Sequence, residues 1–473
     1  MKKKEPDIEK KEPRKMARVG ETVDVAVATL DSEGYALGVL HDSPLMINGA
    51  LPGELVRARV TFAGRRETFA DTVRVLRSSP DRLKTTPCAK GDCDSCPLIA
   101  MKYPAQLAWK QALVRGEAGH FASLADTVVH DILPSPRPLH YRNSAKLVVT
   151  GKFSAPVIGI YRRNSHDVTD ICDCPLHHPL INKIAAAVKE GIRKGKVPIF
   201  SPRSSSGLLR YLVVRVSEAD NRAMAVFVTA ERSFNEIHHL AKYLRAAVPE
   251  VAVMVQNVNE STGNAILGDK NFFLTPGKEL TDSIGDLRFT ISPRSFFQIN
   301  SGSARLIYEK VREYAGLTGR ESVIDLYCGV GGISLFLAGG AKEVLGIESV
   351  QAAVADAEKN CRLNGLRNCR FMAGDAAQLL EELRKEGSRI DLIVLNPPRK
   401  GCDEQVLRDA ALLTPARIIY VSCSPRTLTR DLDLLSGFGY RTREIQPVDM
   451  FPQTPHIENV AILEPLAPSP TAQ

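Results

Sequence analysis

The sequence predicts a multidomain chain with a small antiparallel β-barrel, an α+β centre and a doubly wound α/β domain. Its 473 residues are long for one hydrophobic core. Short strand-like runs broken by glycine turns come first, mixed helical and strand-like runs follow, and strands then alternate regularly with helices. We predict a disordered arm at 1–16, the barrel at 17–78, the centre at 79–290, the α/β domain at 291–465 and a disordered tail at 466–473.

The composition is typical of a globular protein, with 44% hydrophobic and 25% charged residues. No apolar run approaches the roughly 20 residues that cross a bilayer, and residues 1–7 lack the apolar core of a signal peptide. We therefore expect a cytoplasmic protein whose ten cysteines are ligands, catalytic groups or packing residues rather than disulfides. The net charge of +8 weakly favours a polyanionic partner. Nothing in the sequence indicates an oligomer, and a monomer is expected.

The barrel is predicted from strand-like runs at 22–30, 35–40, 54–62 and 68–76. Small barrels of this kind often bind oligonucleotides, and a row of arginines can follow a phosphate backbone. We expect a nucleic-acid-binding barrel, with a solvated arginine face as the alternative. The arginines on or just after these runs are Arg57, Arg59, Arg65, Arg66, Arg74, Arg77 and Arg82.

The centre contains a cluster of cysteines among helix-like runs at 103–121 and 180–193. Three of them are separated by four and two residues, and two more follow far downstream. Three clustered thiolates and one distant thiolate can complete a tetrahedral ligand set. Zinc sites more often show two matched pairs, so the spacing favours a four-iron cluster, and zinc remains the alternative. The cysteines are Cys88, Cys93, Cys96, Cys172 and Cys174.

The α/β domain begins with a strand at 322–326 that runs into a glycine-rich turn. Gly329 and Gly331 allow a ligand to approach the backbone, but Ser334 stands where the dinucleotide fingerprint has its third glycine. Glu348 ends the next strand, where a carboxylate can accept hydrogen bonds from ribose hydroxyls.

Two further strand ends are followed by Asp375 and Asn396. The four strand ends together resemble S-adenosylmethionine-dependent methyltransferases more than nicotinamide enzymes. This resemblance implies that Asp375 contacts the adenine amino group and that Asp325 lies near the methionine ammonium. A helix cap or a turn is the alternative role for either residue. Asn396-Pro397-Pro398 is typical of enzymes that methylate amino groups, but Arg399 occupies the position of the stacking aromatic residue.

Cys423 follows the fifth strand of the domain and precedes Ser424-Pro425. A thiolate that adds to carbon 6 of uracil makes carbon 5 nucleophilic, so that carbon 5 can accept a methyl group. A base must then remove the proton from carbon 5, and Glu458 is the candidate. The uracil would have to leave its stack in folded RNA. Simple packing is the alternative role for an isolated cysteine.

Segments 295–300, 325–332, 396–401, 420–425 and 449–458 together resemble the RNA 5-methyluridine methyltransferase family. The likeness extends over 17–465 and implies a Rossmann-like methyltransferase domain, with Cys423 as nucleophile and Glu458 as base. The family often has Asp where this chain has Asn396. The S-adenosylmethionine contacts implied are Gln298, Tyr327, Glu348 and Asn396, with Gly329, Gly331 and Asp375 nearby.

The N-terminal region resembles the TRAM domain, an OB-like RNA-binding barrel. A barrel combined with a cysteine cluster is similar to the branch that acts on 23S ribosomal RNA, and transfer RNA is the alternative target. That branch places its last cluster ligand before a proline, which favours Cys174 with Cys172 as the fallback. Two other functions stay open: amino-group methylation of RNA or protein, and a non-catalytic RNA-binding assembly factor.

Overall fold

The structure is a computed structural model that describes residues 17–466, except 65–66, 89–92, 94, 163–164, 172, 234, 262 and 264. Arg65, Arg66, Cys172, the arm at 1–16 and tail residues 467–473 lie outside the described residues. The chain divides into two compact units. The smaller comprises 1–87, 94–105 and 453–455, and the larger comprises 88–93, 106–452 and 456–473. Within the described ranges, no helix is both long and apolar enough to cross a membrane.

A six-stranded sheet in the order β1-β5-β6-β4-β3-β2 forms most of the smaller unit. Alternate residues such as Leu45, Ile47 and Val56 point into its core. A Cβ on Gly38 would lie 2.3 Å from the Val25 side chain, so β3 packs closely on β1 and the sheet curls. The strands are β1 Thr22–Ala26, β2 Thr29–Leu30, β3 Ala36–Leu40, β4 Ser43–Asn48, β5 Leu55–Ala63 and β6 Thr68–Arg77.

Two features of this sheet differ from the prediction. The pairing of β4 with β6 is parallel, whereas a wholly antiparallel barrel was expected. The strand β4 itself was not predicted, because Pro44 interrupts its run and proline argues against a regular strand. Two of the arginines are held in ion pairs, Arg57 with Asp24 and Arg82 with Glu54.

The larger unit contains a seven-stranded sheet in the order β10-β9-β8-β11-β12-β13-β14. Helices α2 and α3 pack on one face through apolar residues such as Ile184 and Leu240. The β15–β16 hairpin and Phe297 pack on the other face. These elements are β8 Ser144–Lys152, β9 Ala155–Tyr161, β10 Val168–Asp170, α2 Pro179–Gly195, β11 Leu209–Ser217, β12 Arg222–Thr229, α3 Asn235–Ala247, β13 Val251–Val258, β14 Lys270–Phe273, β15 Leu280–Ile284 and β16 Leu287–Ile291.

The same unit contains an eight-stranded sheet in the order β19-β18-β17-β20-β21-β23-β22-β7. Strands β17 to β21 are parallel, and β23 is inserted antiparallel between β21 and β22. The elements are α4 Ser301–Ala315, β17 Ser322–Leu326, α5 Gly332–Ala338, β18 Glu343–Glu348, α6 Gln351–Leu363, β19 Cys369–Ala373, α7 Ala376–Lys385, β20 Leu392–Leu395, α8 Glu404–Leu412, β21 Arg417–Ser422, α9 Pro425–Gly437, β22 Tyr440–Val448 and β23 Glu458–Pro465.

Part of the segment assigned by sequence to the centre packs on the α/β domain instead. Helix α1, Tyr103–Ala118, contributes Val114 and Ala118 to the core of that domain. After a single 3-10 turn, β7, Val128–Val129, joins the edge of the eight-stranded sheet beside β22. Helix α1 therefore supplies apolar side chains to the later core, and the boundary at residue 290 stays a prediction.

Candidate active site

The turn after β17 has a left-handed backbone conformation at three positions. Tyr327, Gly329 and Gly331 all have positive φ angles, of 63°, 55° and 83°. A Cβ on Gly331 would lie 3.2 Å from Phe371, whereas one on Gly329 would meet no protein atom within 4 Å. Packing and backbone geometry thus both favour glycine at position 331. The backbone at Gly329 stays accessible to a ligand.

Glu348 lies directly beside this turn at the end of β18. Its carboxylate accepts a hydrogen bond from the Gly329 N–H at 3.2 Å and another from the Val350 N–H at 2.9 Å. These bonds fix the carboxylate at the mouth of the glycine turn, where a carboxylate can accept hydrogen bonds from ribose hydroxyls.

Asp325 is fully buried in β17, below the glycine turn. One of its oxygens accepts a hydrogen bond from the Ser334 hydroxyl at 2.5 Å, and the other has no partner among the described residues. The pKa of Asp325 is raised to about 7, mainly by burial; hydrogen bonds from Ser334 oppose this shift and the charge of Glu348 adds to it. A buried carboxylate oxygen without a partner can accept a bond from a ligand ammonium. Ser334, which the sequence identified only as a missing glycine, orients this carboxylate.

The other predicted cofactor residues surround the same turn. Asp375 caps α7 by accepting bonds from Ala377 and Gln378 N–H groups, and its charge also acts on the pKa of Tyr327. Asn396 follows β20 and donates its backbone N–H to the Leu326 carbonyl at 3.2 Å. Asp375 therefore forms the helix cap that the sequence left open as its alternative role.

Gln298 reaches the turn through Tyr308. The Gln298 side chain hydrogen-bonds the Tyr308 hydroxyl and lowers its pKa, against a larger rise caused by burial. A Cβ on Gly332 would lie 2.5 Å from that hydroxyl, so Tyr308 contacts the start of α5. Gln298 and the glycine turn are therefore brought together through Tyr308.

Cys423 and Glu458 come together at the β21–β23 ladder. The last pair of this antiparallel ladder is Ser422 with Asn459. Continuing the register by one residue sets Cys423 opposite Glu458. Glu458 also acts on the pKa of the Cys423 thiol, so the two groups lie near each other at the C-terminal end of β21.

The protonation of this pair is set by burial and by Arg399. Burial raises the pKa of Glu458 to about 8, and the Arg399 guanidinium opposes the shift. Burial also raises the pKa of the Cys423 thiol; Glu458 adds to this rise, and Arg399 opposes it. Arg399 also lies 3.5 Å from the Nε2 atom of His456. One cation thus acts on both titratable groups.

The sequence pattern contained no signal for one further group at this site. Lys110 in α1 is fully buried and donates a hydrogen bond to the Asp449 carboxylate at 2.6 Å. Asp449 and His456 stand within the motif at 449–458, but Lys110 lies far away in a helix with no motif of its own. Only the tertiary structure reveals the contact.

Two of the described cluster cysteines, Cys93 and Cys174, lie near enough to interact electrostatically. Burial raises the pKa of Cys174, and Cys93 raises it further. In the part of the chain that the structure describes, no three potential ligands are arranged to hold a metal ion. Cys328, Cys361 and Cys402 are buried, consistent with packing roles.

Comparison with known proteins gives matches over most of the chain. The model of the tRNA (uracil-5-)-methyltransferase family matches residues 105–465. An uncharacterized RNA methyltransferase from Geobacter sulfurreducens is 60% identical over 94% of this chain and 90% of its own length. Another uncharacterized RNA methyltransferase, from Halalkalibacterium halodurans, is 38% identical over 94% of this chain and 97% of its own length.

A solved structure extends these likenesses to the fold. The Pyrococcus abyssi tRNA (uracil-54, C5)-methyltransferase, in complex with S-adenosyl-L-homocysteine, has a TM-score of 0.76 and 26% identity over 93% of this chain and all of that chain. The family and enzyme class predicted from sequence are thereby confirmed. The chain belongs to the tRNA (uracil-5-)-methyltransferase family and is an S-adenosylmethionine-dependent RNA uracil-5 methyltransferase.

Proposed function

We propose that the enzyme methylates carbon 5 of a uridine in folded RNA through a covalent bond between Cys423 and carbon 6. The observation that carries this proposal is the end of the β21–β23 ladder: Ser422 pairs with Asn459, the next residues are Cys423 and Glu458, and Glu458 acts on the pKa of Cys423. A nucleophile and a carboxylate on neighbouring strands can act on adjacent carbons of one ring. Arg399 beside both groups can balance charge as it moves between them.

The chemical steps assign one role to each residue. The Cys423 thiolate forms a bond to carbon 6, and the electron pair of the ring double bond moves to make carbon 5 nucleophilic. S-adenosylmethionine, when bound, supplies the methyl group that carbon 5 takes up. The Glu458 carboxylate then removes the proton from carbon 5, the ring double bond re-forms, and the Cys423–carbon bond breaks to release the thiolate.

The positions of the two groups suit these roles. Cys423 immediately precedes Ser424, the cap of the 13-residue helix α9. The positive end of a helix favours a thiolate over a thiol, which partly offsets burial. A base with a pKa raised to about 8, as in Glu458, binds the proton strongly enough to take it from carbon.

The residues around the glycine turn suit S-adenosylmethionine. The free oxygen of Asp325 can accept the ammonium, and the carboxylate of Glu348 can accept the ribose hydroxyls. The open backbone at Gly329 allows close approach. We assign the remaining contacts to Gln298, Tyr327, Gly331, Asp375 and Asn396.

We further propose that the target is a uridine of 23S ribosomal RNA. The N-terminal curled sheet, interpreted as a TRAM barrel, and the cysteine cluster support this branch. Transfer RNA is the second candidate, because the Pyrococcus abyssi enzyme, which matches along its entire length, is a tRNA methyltransferase. In either RNA the target base would have to leave its stack.

We also propose a four-iron cluster held by Cys88, Cys93, Cys96 and Cys174. The sequence spacing supports it, as does the influence of Cys93 on Cys174. About four irons and four sulfides per chain are expected after anaerobic purification. Stoichiometric zinc without sulfide would overturn the assignment.

The covalent mechanism is tested by replacing Cys423 with Ala. We expect Cys423→Ala to abolish methylation of ribosomal or transfer RNA and to abolish the complex with 5-fluorouridine RNA that survives denaturant. Cys361→Ala, in the core away from the ladder, is the matched control and should retain both. Full methylation by Cys423→Ala would exclude the covalent route. Mass mapping of both RNAs from a deletion strain identifies the target.

A further inference from the structure

A fully buried lysine organises the connection between β22 and β23. The Lys110 ammonium donates hydrogen bonds to the Asp449 carboxylate at 2.6 Å, the Phe451 carbonyl at 3.0 Å and the His456 carbonyl at 2.9 Å. These acceptors lie near the beginning and the end of the connection. One side chain from α1 thus ties the connection together from inside.

The number of acceptors specifies the charge state of Lys110. An ammonium has three donors, and all three are used here. A neutral amine could satisfy only two acceptors and would leave the buried Asp449 charge without a counterion. Burial lowers the pKa of Lys110 while Asp449 raises it. The pair is therefore a buried ion pair in which all three donors of the ammonium are used.

This connection leads directly into β23, which begins with Glu458. Val448, the last residue of β22, pairs with Glu458, the first residue of β23. His456, whose carbonyl Lys110 holds, has its ring nitrogen 3.5 Å from Arg399. Lys110 is thus linked to the proposed base along the chain and to Arg399 through His456.

From these contacts we infer that Lys110 is a positioning residue for proton removal, because it fixes Glu458 opposite Cys423. The inference rests on the covalent mechanism proposed above. In the step concerned, the Glu458 carboxylate takes the proton from carbon 5 and the Cys423–carbon 6 bond breaks. Formation of the adduct depends on Cys423, which lies between β21 and α9 rather than in the connection. Loss of Lys110 should therefore slow release more than formation.

The test uses the full-length double variant Lys110→Met/Asp449→Asn, which removes both buried charges so that neither is left unpaired. Single-turnover reactions with methyl-labelled S-adenosylmethionine and target RNA measure two rates: formation of the denaturant-resistant RNA–protein adduct and its release as methylated RNA. We expect release to fall by about 10²-fold, since small displacements of a catalytic group have effects of this size. Formation should change less than about threefold, so the methylated adduct accumulates.

The matched control is Val114→Ala, which lies on α1 one turn after Lys110 and is equally buried. It should lower the melting temperature without changing the ratio of the two rates. If the double variant slows both rates equally, or neither, Lys110 has only a structural role and the inference fails. If the unaltered enzyme forms no adduct that depends on Cys423, the covalent mechanism fails and the inference fails with it.

Discussion

The two halves of the proposed active site are built by different means. The cofactor half, at the ends of β17 and β18, is assembled from neighbouring turns: Glu348 accepts from Gly329, and Asp325 accepts from Ser334. In the acceptor half, Cys423 follows β21, and Glu458 begins β23, which runs in the opposite direction. Lys110, far away in sequence, holds the connection before Glu458. Local geometry thus shapes one half and long-range contacts shape the other, so the two should respond independently to substitution.

The largest difference between the effects on turnover and on cofactor binding is expected for Glu458→Gln. Glutamine keeps the shape of the side chain but cannot take a proton, so turnover should fall about 10²–10⁴-fold. The methylated RNA–protein adduct should accumulate, because formation does not need the base. S-adenosylmethionine affinity, measured by calorimetry, should be unchanged. A variant with normal turnover, or with weakened cofactor binding, would contradict this division of the site.

The pH dependence of release sharpens the same point. Because burial raises the pKa of Glu458 to about 8, the carboxyl is protonated below that pH and cannot act as a base. In the unaltered enzyme, release should rise about tenfold per pH unit below this pKa and level off above it. Adduct formation is measured separately, because the pKa of the Cys423 thiol is also raised and formation therefore has its own pH dependence. In Glu458→Gln the residual release should lose this dependence; an unchanged profile would assign the titration to another group.

Asp325→Asn tests the cofactor half. Asparagine cannot balance the methionine ammonium, and charged hydrogen bonds contribute about 1.5–3 kcal/mol, so affinity should fall roughly 10–100-fold in calorimetry. The pKa of the Asp325 carboxyl is raised to about 7 in the folded protein, so the free energy of unfolding falls as the pH rises toward 7. Asparagine does not ionise, so above pH 7 the variant should be no less stable than the unaltered enzyme. Asp409→Asn, another buried carboxylate, is the control and should leave affinity unchanged.

The same difference explains what could be predicted from the sequence. The glycine turn, Glu348 and the fifth strand before Cys423 are local patterns, and the structure places them on consecutive elements of a parallel sheet. The strands β22 and β23 were not predicted, because their pairing depends on insertion of β23 between β21 and β22. Sequence indicated Glu458 by its motif but could not place it beside Cys423.

Buried polar contacts were beyond reach for a related reason. Lys110 occupies a helix position that would normally be solvated, and only the packing of α1 makes its ammonium a partner for Asp449. Ser334 was interpreted by what it replaced, not by the carboxylate it contacts. Side-chain partners across a fold follow from tertiary packing, which no residue spacing encodes.

The smallest effect is expected from Gly331→Ala in the glycine turn. Gly331 has φ 83°, and a Cβ there would lie 3.2 Å from Phe371. A left-handed backbone costs other residues about 1–2 kcal/mol, so the free energy of unfolding should fall by about that amount. Gly437→Ala near the end of α9, where a Cβ meets nothing within 4 Å, is the control and should be neutral or stabilising. Chemical denaturation measures both. Because the change is local to the cofactor half, the ratio of adduct formation to release should stay that of the unaltered enzyme, and a shift in that ratio would mean that the two halves are coupled.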